Sequence, residues 1–389
     1  MGGRDLNKNE FKNGVEEFLN ITNEYRPIYI YGYSNISRNA FFLLQNVFGD
    51  RIKGILVTHM KLAYKSNSIT VLEAKDVDLS DSAVIVATNR IFFEEIQREL
   101  RNKCKIVLFY DEQIDKQLIK ISKGIPLVET RLLSICVGQA CNYKCRDCAN
   151  FAPYAKKENL RYQVKDIIND IDNLLPMFSR IDKIHVQGGE PFLYSDLSIL
   201  LEYLKEKYGQ IHGKIQIATN GEIIPDEKVL SLMEKGGYEV RISAYNNIDE
   251  KSMLIKELED RRVPYRVYKF AGKNGKWSDS GNRFYIQPDY EDTMSKVLNC
   301  RWCTCYTVEN HMIGRCARSI PALTVQGIER REEDYISIDQ DLTIDRLRNY
   351  FMFIKPMEAC RHCKGSGGEE IEAAIQIKKR SNDNLMELS

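Results

Sequence analysis

Three closely spaced cysteines, Cys141, Cys145 and Cys148, are the feature that most constrains this chain. Their C-x3-C-x2-C spacing follows the apolar run of residues 132–137, so the sequence predicts a cysteine loop after a strand. The chain has eleven cysteines in 389 residues, and six of them lie within residues 300–363. An odd number without an apolar signal segment argues against a disulfide framework. Thiols grouped among polar residues instead indicate zinc or iron–sulfur ligation.

The number of thiolates in this loop favours an iron–sulfur cluster. A closed zinc site normally takes four protein ligands, whereas a cubane held by three cysteines keeps one iron open for a substrate or cofactor. A zinc site with a distant fourth ligand is the alternative. The chain has only five histidines, which disfavours a His-rich metal site.

Composition excludes several other classes. Lys and Arg number 56 against 55 Asp and Glu, a formal net charge of +1, so bulk electrostatics attracts neither nucleic acid nor an anionic membrane. No apolar run is long enough to span a bilayer, and the polar N-terminus lacks a signal core. We therefore expect a cytoplasmic protein. At about 150 residues per domain, the length predicts two to three domains.

The hydrophobic pattern divides the chain into residues 1–125, 126–272 and 273–389. In the first segment, short apolar runs alternate with helical spacing, which predicts a small parallel α/β layer that is Rossmann-like. Its first turn, GYSNIS, lacks the G-x-G-x-x-G pattern, so a docking or structural role is favoured over nucleotide binding. The third segment loses the β–α rhythm, and residues 369–379 near its end are predicted to form an amphipathic helix.

The middle segment repeats strand and helix patterns, which predicts a parallel sheet that is closed or partly closed. Catalytic groups of such barrels lie at the carboxyl ends of the strands. The cysteine loop follows the first strand, and a second motif, residues 188–191 (GGEP), follows the next. Its glycines permit close backbone approach to a ligand, and Glu190 can accept a hydrogen bond from an ammonium group. Taken alone, this motif is more typical of a tight turn.

The two motifs together resemble those of the radical S-adenosylmethionine (SAM) superfamily, over roughly residues 131–272. The resemblance implies a partial (β/α)6 barrel and a 4Fe–4S cluster on the three cysteines. It also implies that SAM chelates the open iron and is cleaved reductively to a 5′-deoxyadenosyl radical, with flavodoxin or ferredoxin as electron donor. The SAM-binding positions implied are Gly188, Gly189, Glu190, Pro191, Thr219, Asn220 and Ser243. For Thr219, Asn220, Ser243 and the nearby Tyr245, hydrogen bonding at the barrel rim is the alternative.

One position departs from the family pattern. The residue before the third cysteine is usually aromatic and packs near the adenine, but here it is Asp147. Phe151 and Tyr154 are the candidates to replace it. The departure concerns the adenine pocket and leaves the three cluster ligands unaffected.

The late cysteines resemble the SPASM/Twitch auxiliary module of some radical SAM enzymes. The resemblance implies one Twitch-like 4Fe–4S cluster in residues 273–389, and His311 stands where the module usually has glycine. Cys303 or Cys305 is an alternative to the first ligand, and a zinc ribbon is an alternative to the cluster. The implied ligands are Cys300, Cys316, Cys360 and Cys363.

An auxiliary cluster suits an oxidation, because it can take the second electron from a substrate radical. The runs at residues 148–154 and 277–279 resemble radical SAM proteins of sugar and glycan biosynthesis. We therefore expect a dehydrogenase-like oxidoreductase acting on a small polar substrate such as a sugar, aminocyclitol or glycan precursor. A peptide- or protein-modifying maturase is the main alternative, and a non-catalytic iron–sulfur or zinc protein is a more distant one. The sequence singles out no catalytic acid or base.

Overall fold

The computed structural model describes residues 18, 20, 26–59, 69–122, 124–245, 253–269, 276–287, 289–339 and 342–377. The chain forms two compact units. One comprises residues 1–129 and 343–354, and the other comprises residues 130–342 and 355–389. The short late segment 343–354 thus belongs to the first unit. The division into three domains drawn from the sequence stays a prediction.

The first unit contains a five-stranded sheet in the order β3-β2-β1-β4-β5, and all its pairs are parallel. The central strand β1 is almost wholly apolar and buried, as the sequence predicts for a strand covered on both faces. The helices described in this unit are Asn35–Phe48, Phe93–Leu100, Glu112–Ile121 and Ile344–Met352. The strands are β1 (Ile28–Tyr31), β2 (Ile52–Val57), β3 (Val71–Glu73), β4 (Ala83–Val86) and β5 (Ile106–Phe109).

Two buried ion pairs lie within the first unit. Arg38 donates through Nε and Nη2 to Glu129, at 3.1 and 2.9 Å, and both side chains are buried. Arg348, from the late helix, donates to Asp115 at 2.6 Å. Buried charges are tolerated when they are paired in this way, and removing one partner leaves the other unpaired. The second pair ties the late helix to the helix Glu112–Ile121.

The second unit contains an eight-stranded sheet in the order β12-β11-β10-β9-β7-β14-β15-β16. The pairs from β12 to β14 are parallel, and the last two are antiparallel. The strands of this sheet are β7 (Leu133–Cys136), β9 (Ile184–Gln187), β10 (Ile215–Thr219), β11 (Tyr238–Ala244), β12 (Tyr265–Lys269), β14 (Tyr306–Glu309), β15 (Met312–Gly314) and β16 (Tyr335–Ser337). Strands β8 (Phe178–Ile181), β13 (Lys276–Ser278) and β17 (Glu370–Glu372) also belong to this unit, and β6 (Val128–Thr130) begins in the first unit.

Helices of the second unit follow the parallel strands in the βαβ manner. Together the two sheets confirm the predicted α/β architecture with parallel strands. No helix among the described residues is long and apolar enough to cross a membrane. The helices described here are Lys157–Leu160, Val164–Leu174, Leu197–Tyr208, Glu227–Glu234, Met253–Asp260, Tyr290–Leu298, Ser319–Thr324 and Glu358–Arg361.

The strands of the large sheet alternate between an apolar and a polar face. On β9, Ile184 and Val186 are fully buried, while the side chains between and after them point the other way. His185 pairs with Ser134 on β7 and with Gln216 on β10, so these three side chains lie on the same face of the sheet. A row of polar side chains therefore lines one face of the sheet, and this face leads to the cysteine loop.

The prediction of a helix at residues 369–379 is wrong for the part of that segment which the structure describes. Residues 370–372 form β17, which pairs antiparallel with β13. Further along, Gln376 forms an isolated antiparallel bridge with Cys145. Backbone partners offered by these distant segments hold the chain extended, so tertiary pairing overrides the local helical pattern.

Candidate active site

The cysteine loop leaves the carboxyl end of β7 and closes one side of a cavity of about 150 Å³. Cys141, Cys145 and Cys148 all line this cavity. Gly188 and Gly189, at the end of β9, line it as well. The structure therefore brings the two sequence motifs together at the strand ends.

The two glycines of the second motif pack directly against the cysteine loop. A Cβ atom on Gly188 would overlap the carbonyl oxygen of Gly138, and one on Gly189 would lie 2.5 Å from that of Gln139. The amide of Gly189 donates to the Gly138 oxygen, and that of Glu190 to the Ala140 oxygen, both at 2.8 Å. The missing side chains thus allow the two loops to approach each other closely.

Glu190 is a buried link between two strand ends. Its carboxylate accepts from the amide of Phe192 at 3.1 Å and from the amide of Asn220 at 2.7 Å. Burial raises the pKa of this carboxyl, while the hydrogen bonds oppose that shift. Pro191 then begins a short 3₁₀ turn, Pro191–Leu193. The motif fixes the end of β9 to the end of β10.

The remaining predicted positions line the same cavity and also bond along its rim. Thr219 accepts from the amide of Gly221 at 3.0 Å, and Asn220 donates to Asn142 at 2.7 Å. Ser243 accepts from Arg241 at 3.1 Å. Rim hydrogen bonding and exposure to the cavity therefore coexist at these positions.

Several cavity residues were not singled out from the sequence. These are His185, Gln187 and Arg241, which reach the cavity from the sheet. Trp277, which belongs to one of the runs quoted from the sequence, also lines the cavity and packs edge-to-face on Tyr245 at 5.2 Å. The Nε2 atom of His185 is buried without a hydrogen-bond partner. Burial, aided by the positive charge of Arg241, lowers the pKa of His185 to about 3, so its ring is neutral. The sequence signal that could have identified the strand residues is the alternation of side chains between the two faces of a strand.

The three thiols lie in surroundings suited to metal-bound thiolates. Burial raises the pKa of Cys141 to about 12 and also raises those of Cys145 and Cys148. Side-chain and backbone N–H groups point at the sulfurs: the Tyr143 amide to Cys141 at 3.4 Å, Asn220 Nδ2 to Cys141 at 3.9 Å, and Gln376 Nε2 to Cys145 at 3.2 Å. Such donors stabilise a thiolate once a metal has displaced its proton.

The described residues contain no group of three His, Cys, Asp or Glu side chains placed to hold a single metal ion. A tetrahedral zinc site brings its sulfurs to about 3.8 Å from one another, given Zn–S bonds of about 2.3 Å. Thiolates of a cubane bind separate iron atoms, so they do not need to converge on one point. Three thiols on one short loop are a donor set that fits a cubane.

The segment that contains Gln376 crosses the cysteine loop. The amide of Arg146 donates to the Ile375 oxygen, and that of Ile377 donates to the Lys144 oxygen, both at 2.8 Å. We call residues 370–377 the strap. It supplies the amide group that contacts Cys145, which the sequence gave no reason to expect.

A second, smaller cavity of about 30 Å³ gathers late cysteines. Cys303 lines this cavity together with Cys300, whereas Cys305 does not line it. Either Cys300 or Cys303 can therefore serve as the first ligand. Lys296 borders the cavity and donates to the carbonyl oxygens of Cys360 and Cys363, at 2.7 and 2.5 Å. The four predicted ligands that line it are Cys300, Cys316, Cys360 and Cys363.

His311 lies in the tight hairpin between β14 and β15. Its φ of 63° is in the left-handed region, where glycine is the usual residue. Its Nδ1 hydrogen-bonds to Asp170 at 2.8 Å, which holds the side chain in this turn. The hairpin thus has the glycine-type backbone expected at this position.

Residues 135–264 match the family model described as the radical SAM superfamily. This region of the chain belongs to the radical SAM superfamily. The match begins within β7 and ends at the residue before β12, so it includes both motifs at the cavity.

Curated relatives match part of the chain. A protein of Methanocaldococcus jannaschii, provisionally named a glycyl-radical enzyme activating enzyme, is 27% identical over 175 residues, which are 45% of this chain and 60% of that protein. GTP 3′,8-cyclase 3 of Mycobacterium bovis is 33% identical over 99 residues, 24% of this chain and 25% of the cyclase. The chain therefore spans less than two thirds of the length of either relative.

Solved structures also resemble parts of this chain. BtrN in complex with AdoMet and 2-DOIA is 13% identical, with a TM-score of 0.39, over 64% of this chain and 98% of BtrN. Native anSMEcpe with bound AdoMet and Cp18Cys peptide is 15% identical, with a TM-score of 0.38, over 64% of this chain and 92% of that one. Both scores lie below 0.5, and neither likeness bears on the substrate.

Proposed function

We propose that this protein is a radical SAM oxidoreductase that oxidises a small polar substrate. The observation that carries the proposal is one continuous cavity shared by the three thiols, the glycine motif and the polar face of the sheet. A 4Fe–4S cluster on Cys141, Cys145 and Cys148, with SAM bound, would supply a 5′-deoxyadenosyl radical that removes hydrogen from an unreactive carbon.

The chain's own residues shape the space in which that chemistry would occur. The strands present an imidazole, an amide and a guanidinium to the cavity, through His185, Gln187 and Arg241. Trp277 and Tyr245 add two aromatic surfaces, and such surfaces accept planar rings. The imidazole, amide and guanidinium offer hydrogen-bond partners to a hydroxylated or amino-substituted small molecule.

The second cavity supplies the oxidising half of the proposal. Its cysteines would hold an auxiliary 4Fe–4S cluster that accepts the electron left on the substrate after hydrogen abstraction. After losing a hydrogen atom to the radical, an electron to the cluster and a proton to solvent, the product would be two electrons more oxidised than the substrate, as a ketone is relative to an alcohol. Flavodoxin or ferredoxin is the proposed source of the electron that cleaves SAM.

The first test is SAM cleavage by anaerobically reconstituted protein with dithionite. We expect 5′-deoxyadenosine, and about eight irons per chain if two cubanes form. Cys145→Ala abolishes cleavage, whereas Cys104→Ala serves as the matched control because Cys104 lies in the first unit, outside both cavities. A colourless, zinc-containing protein that leaves SAM intact would refute the proposal and favour a non-catalytic metal protein.

A second test separates substrate classes. Sugars, aminocyclitols and peptides are supplied in turn, and we expect polar small molecules to accelerate SAM cleavage and to gain a carbonyl group. The double variant Cys360→Ala/Cys363→Ala retains about four irons and the basal cleavage of SAM but loses product formation. Acceleration by peptides alone would support a peptide maturase instead.

A further inference from the structure

A groove borders the cysteine loop beside the cavity of the candidate active site. It has a volume of about 630 Å³ and is lined by residues 146–148, 151, 153–156, 279–284 and 325–326, all of which belong to the second unit. We call this space the groove. Cys148 and Pro153 line both the groove and the cavity. The third cysteine of the loop can therefore be approached from two spaces.

The segment at residues 279–284 is held in place by hydrogen bonds from distant parts of the unit. Arg318 donates to Ser280 Oγ at 3.1 Å and to the Gly281 oxygen at 2.6 Å. The amide of Lys364 donates to the Ser280 oxygen at 3.2 Å, and Asp279 accepts from the Gly281 amide at 2.8 Å. A surface fixed in this way loses little conformational entropy when a partner binds.

The charges at the groove leave an excess of cations. Asp147 pairs with Arg146 at 2.8 Å, and Asp279 pairs with Lys364 at 2.5 Å, so both carboxylates that line the groove are already neutralised. Two further cations line it, and within the part of the chain that the structure describes neither forms an ion pair. These cations are Lys156 and Arg283. Exposed cations steer a negatively charged protein surface toward them and fix its orientation.

Aromatic side chains lie beside these cations. Tyr154 is 41% exposed and Phe284 is 75% exposed, and both line the groove. The guanidinium of Arg283 lies 4.9 Å from the ring centre of Phe284. Exposed aromatic rings next to cations are typical of protein interfaces, and such rings pack against other planar rings.

The proposed chemistry requires an electron from outside the protein. The cavity of about 150 Å³ is too small to admit a protein, and SAM and substrate would occupy it during reaction. A protein that delivers the electron must therefore approach the cysteine loop from another space. The groove offers that approach because Cys148 lines it.

We propose that the groove is the docking site of an acidic protein that carries one electron on a flavin. The inference rests on the proposed function, which places a 4Fe–4S cluster on the cysteine loop. One electron passes from the reduced flavin to that cluster, so the flavin is oxidised by one electron and the cluster is reduced by one. Lys156 and Arg283 bind the acidic surface of the carrier, and Tyr154 and Phe284 pack against its flavin.

The first test measures binding without turnover. Oxidised flavodoxin is titrated calorimetrically into the reconstituted protein at low and at high salt. We expect Lys156→Glu/Arg283→Glu to weaken binding about tenfold at low salt and less at high salt, because salt screens exposed charges. The matched control is Lys228→Glu/Lys235→Glu, which changes the net charge equally on and just after the helix Glu227–Glu234, outside the groove.

A second comparison tests the aromatic contact. Phe284→Ala is expected to weaken flavodoxin binding to the same extent at both salt concentrations, because apolar contact is not screened. A ferredoxin, which carries its electron on an iron–sulfur cluster, is titrated in parallel and is expected to bind more weakly than flavodoxin. Tighter binding of the ferredoxin overturns the assignment to a flavin carrier.

The third test separates docking from chemistry. In Lys156→Glu/Arg283→Glu, we expect cleavage of SAM driven by reduced flavodoxin to slow, whereas dithionite, which needs no docking site, drives cleavage at the unchanged rate. The proposal is overturned if the charge reversal leaves flavodoxin binding unchanged or if the control weakens it as much. Self-association of the unchanged protein that the charge reversal abolishes would assign the groove to a second copy and also overturn it. Failure of dithionite to drive cleavage in the unchanged protein refutes the proposed function instead.

Discussion

Replacing Gly189 by alanine should dismantle the first cluster site without touching the second. The new Cβ would lie 2.5 Å from the Gln139 oxygen and closer still to that of Ala140. Both are backbone atoms, so no side-chain rotation relieves the overlap. Overpacking of this kind costs about 1–3 kcal/mol, and each of the two backbone hydrogen bonds that would part contributes about 1 kcal/mol. We expect the loops to separate at a local cost of about 3–5 kcal/mol.

The assay measures the iron content of the reconstituted protein and its cleavage of SAM. Gly189→Ala should retain about four irons of about eight and form no 5′-deoxyadenosine, because only the cysteine loop is displaced. Gly367→Ala is the control, since no atom lies within 4 Å of the added Cβ. Full iron content and normal cleavage in Gly189→Ala would refute the view that backbone contact between the two motifs holds the cluster loop.

Three further predictions follow from single contacts. Glu129→Ala removes the carboxylate to which the buried Arg38 donates and should reduce the free energy of unfolding by about 3–5 kcal/mol in urea titration, whereas a loss below about 1 kcal/mol would contradict the buried ion pair. The pKa of His185 is about 3 in the folded protein and about 6.5 in the unfolded chain, so below pH 6.5 the imidazole takes up a proton when the protein unfolds. The free energy of unfolding should therefore fall by about 2 kcal/mol between pH 7 and pH 5. His185→Gln should lack this pH-dependent loss, and an unchanged profile would argue against a buried neutral imidazole. Gln376→Met removes the N–H donor to Cys145 and should lower the potential of the first cluster but not the second, as measured by redox titration.

The sequence by itself determined the local chemistry. Ligands on one short loop, such as Cys141 to Cys148, are close in space whatever the rest of the chain does, so their spacing alone indicates a cluster. The glycine motif and the strand–helix alternation are local as well, and from them the α/β architecture with parallel sheets followed. Short and strongly apolar segments such as Ile28–Tyr31 can be assigned as strands from the sequence alone.

Only the tertiary structure decided which distant residues meet. It brought Cys303 but not Cys305 to the second cavity, and it placed Arg318 and Gln376 beside cysteines far away in the chain. It also paired β17 with β13, where the local pattern favours a helix. Such contacts depend on strand register and on the packing of remote segments. Their free energy comes from partners that no short window of sequence contains.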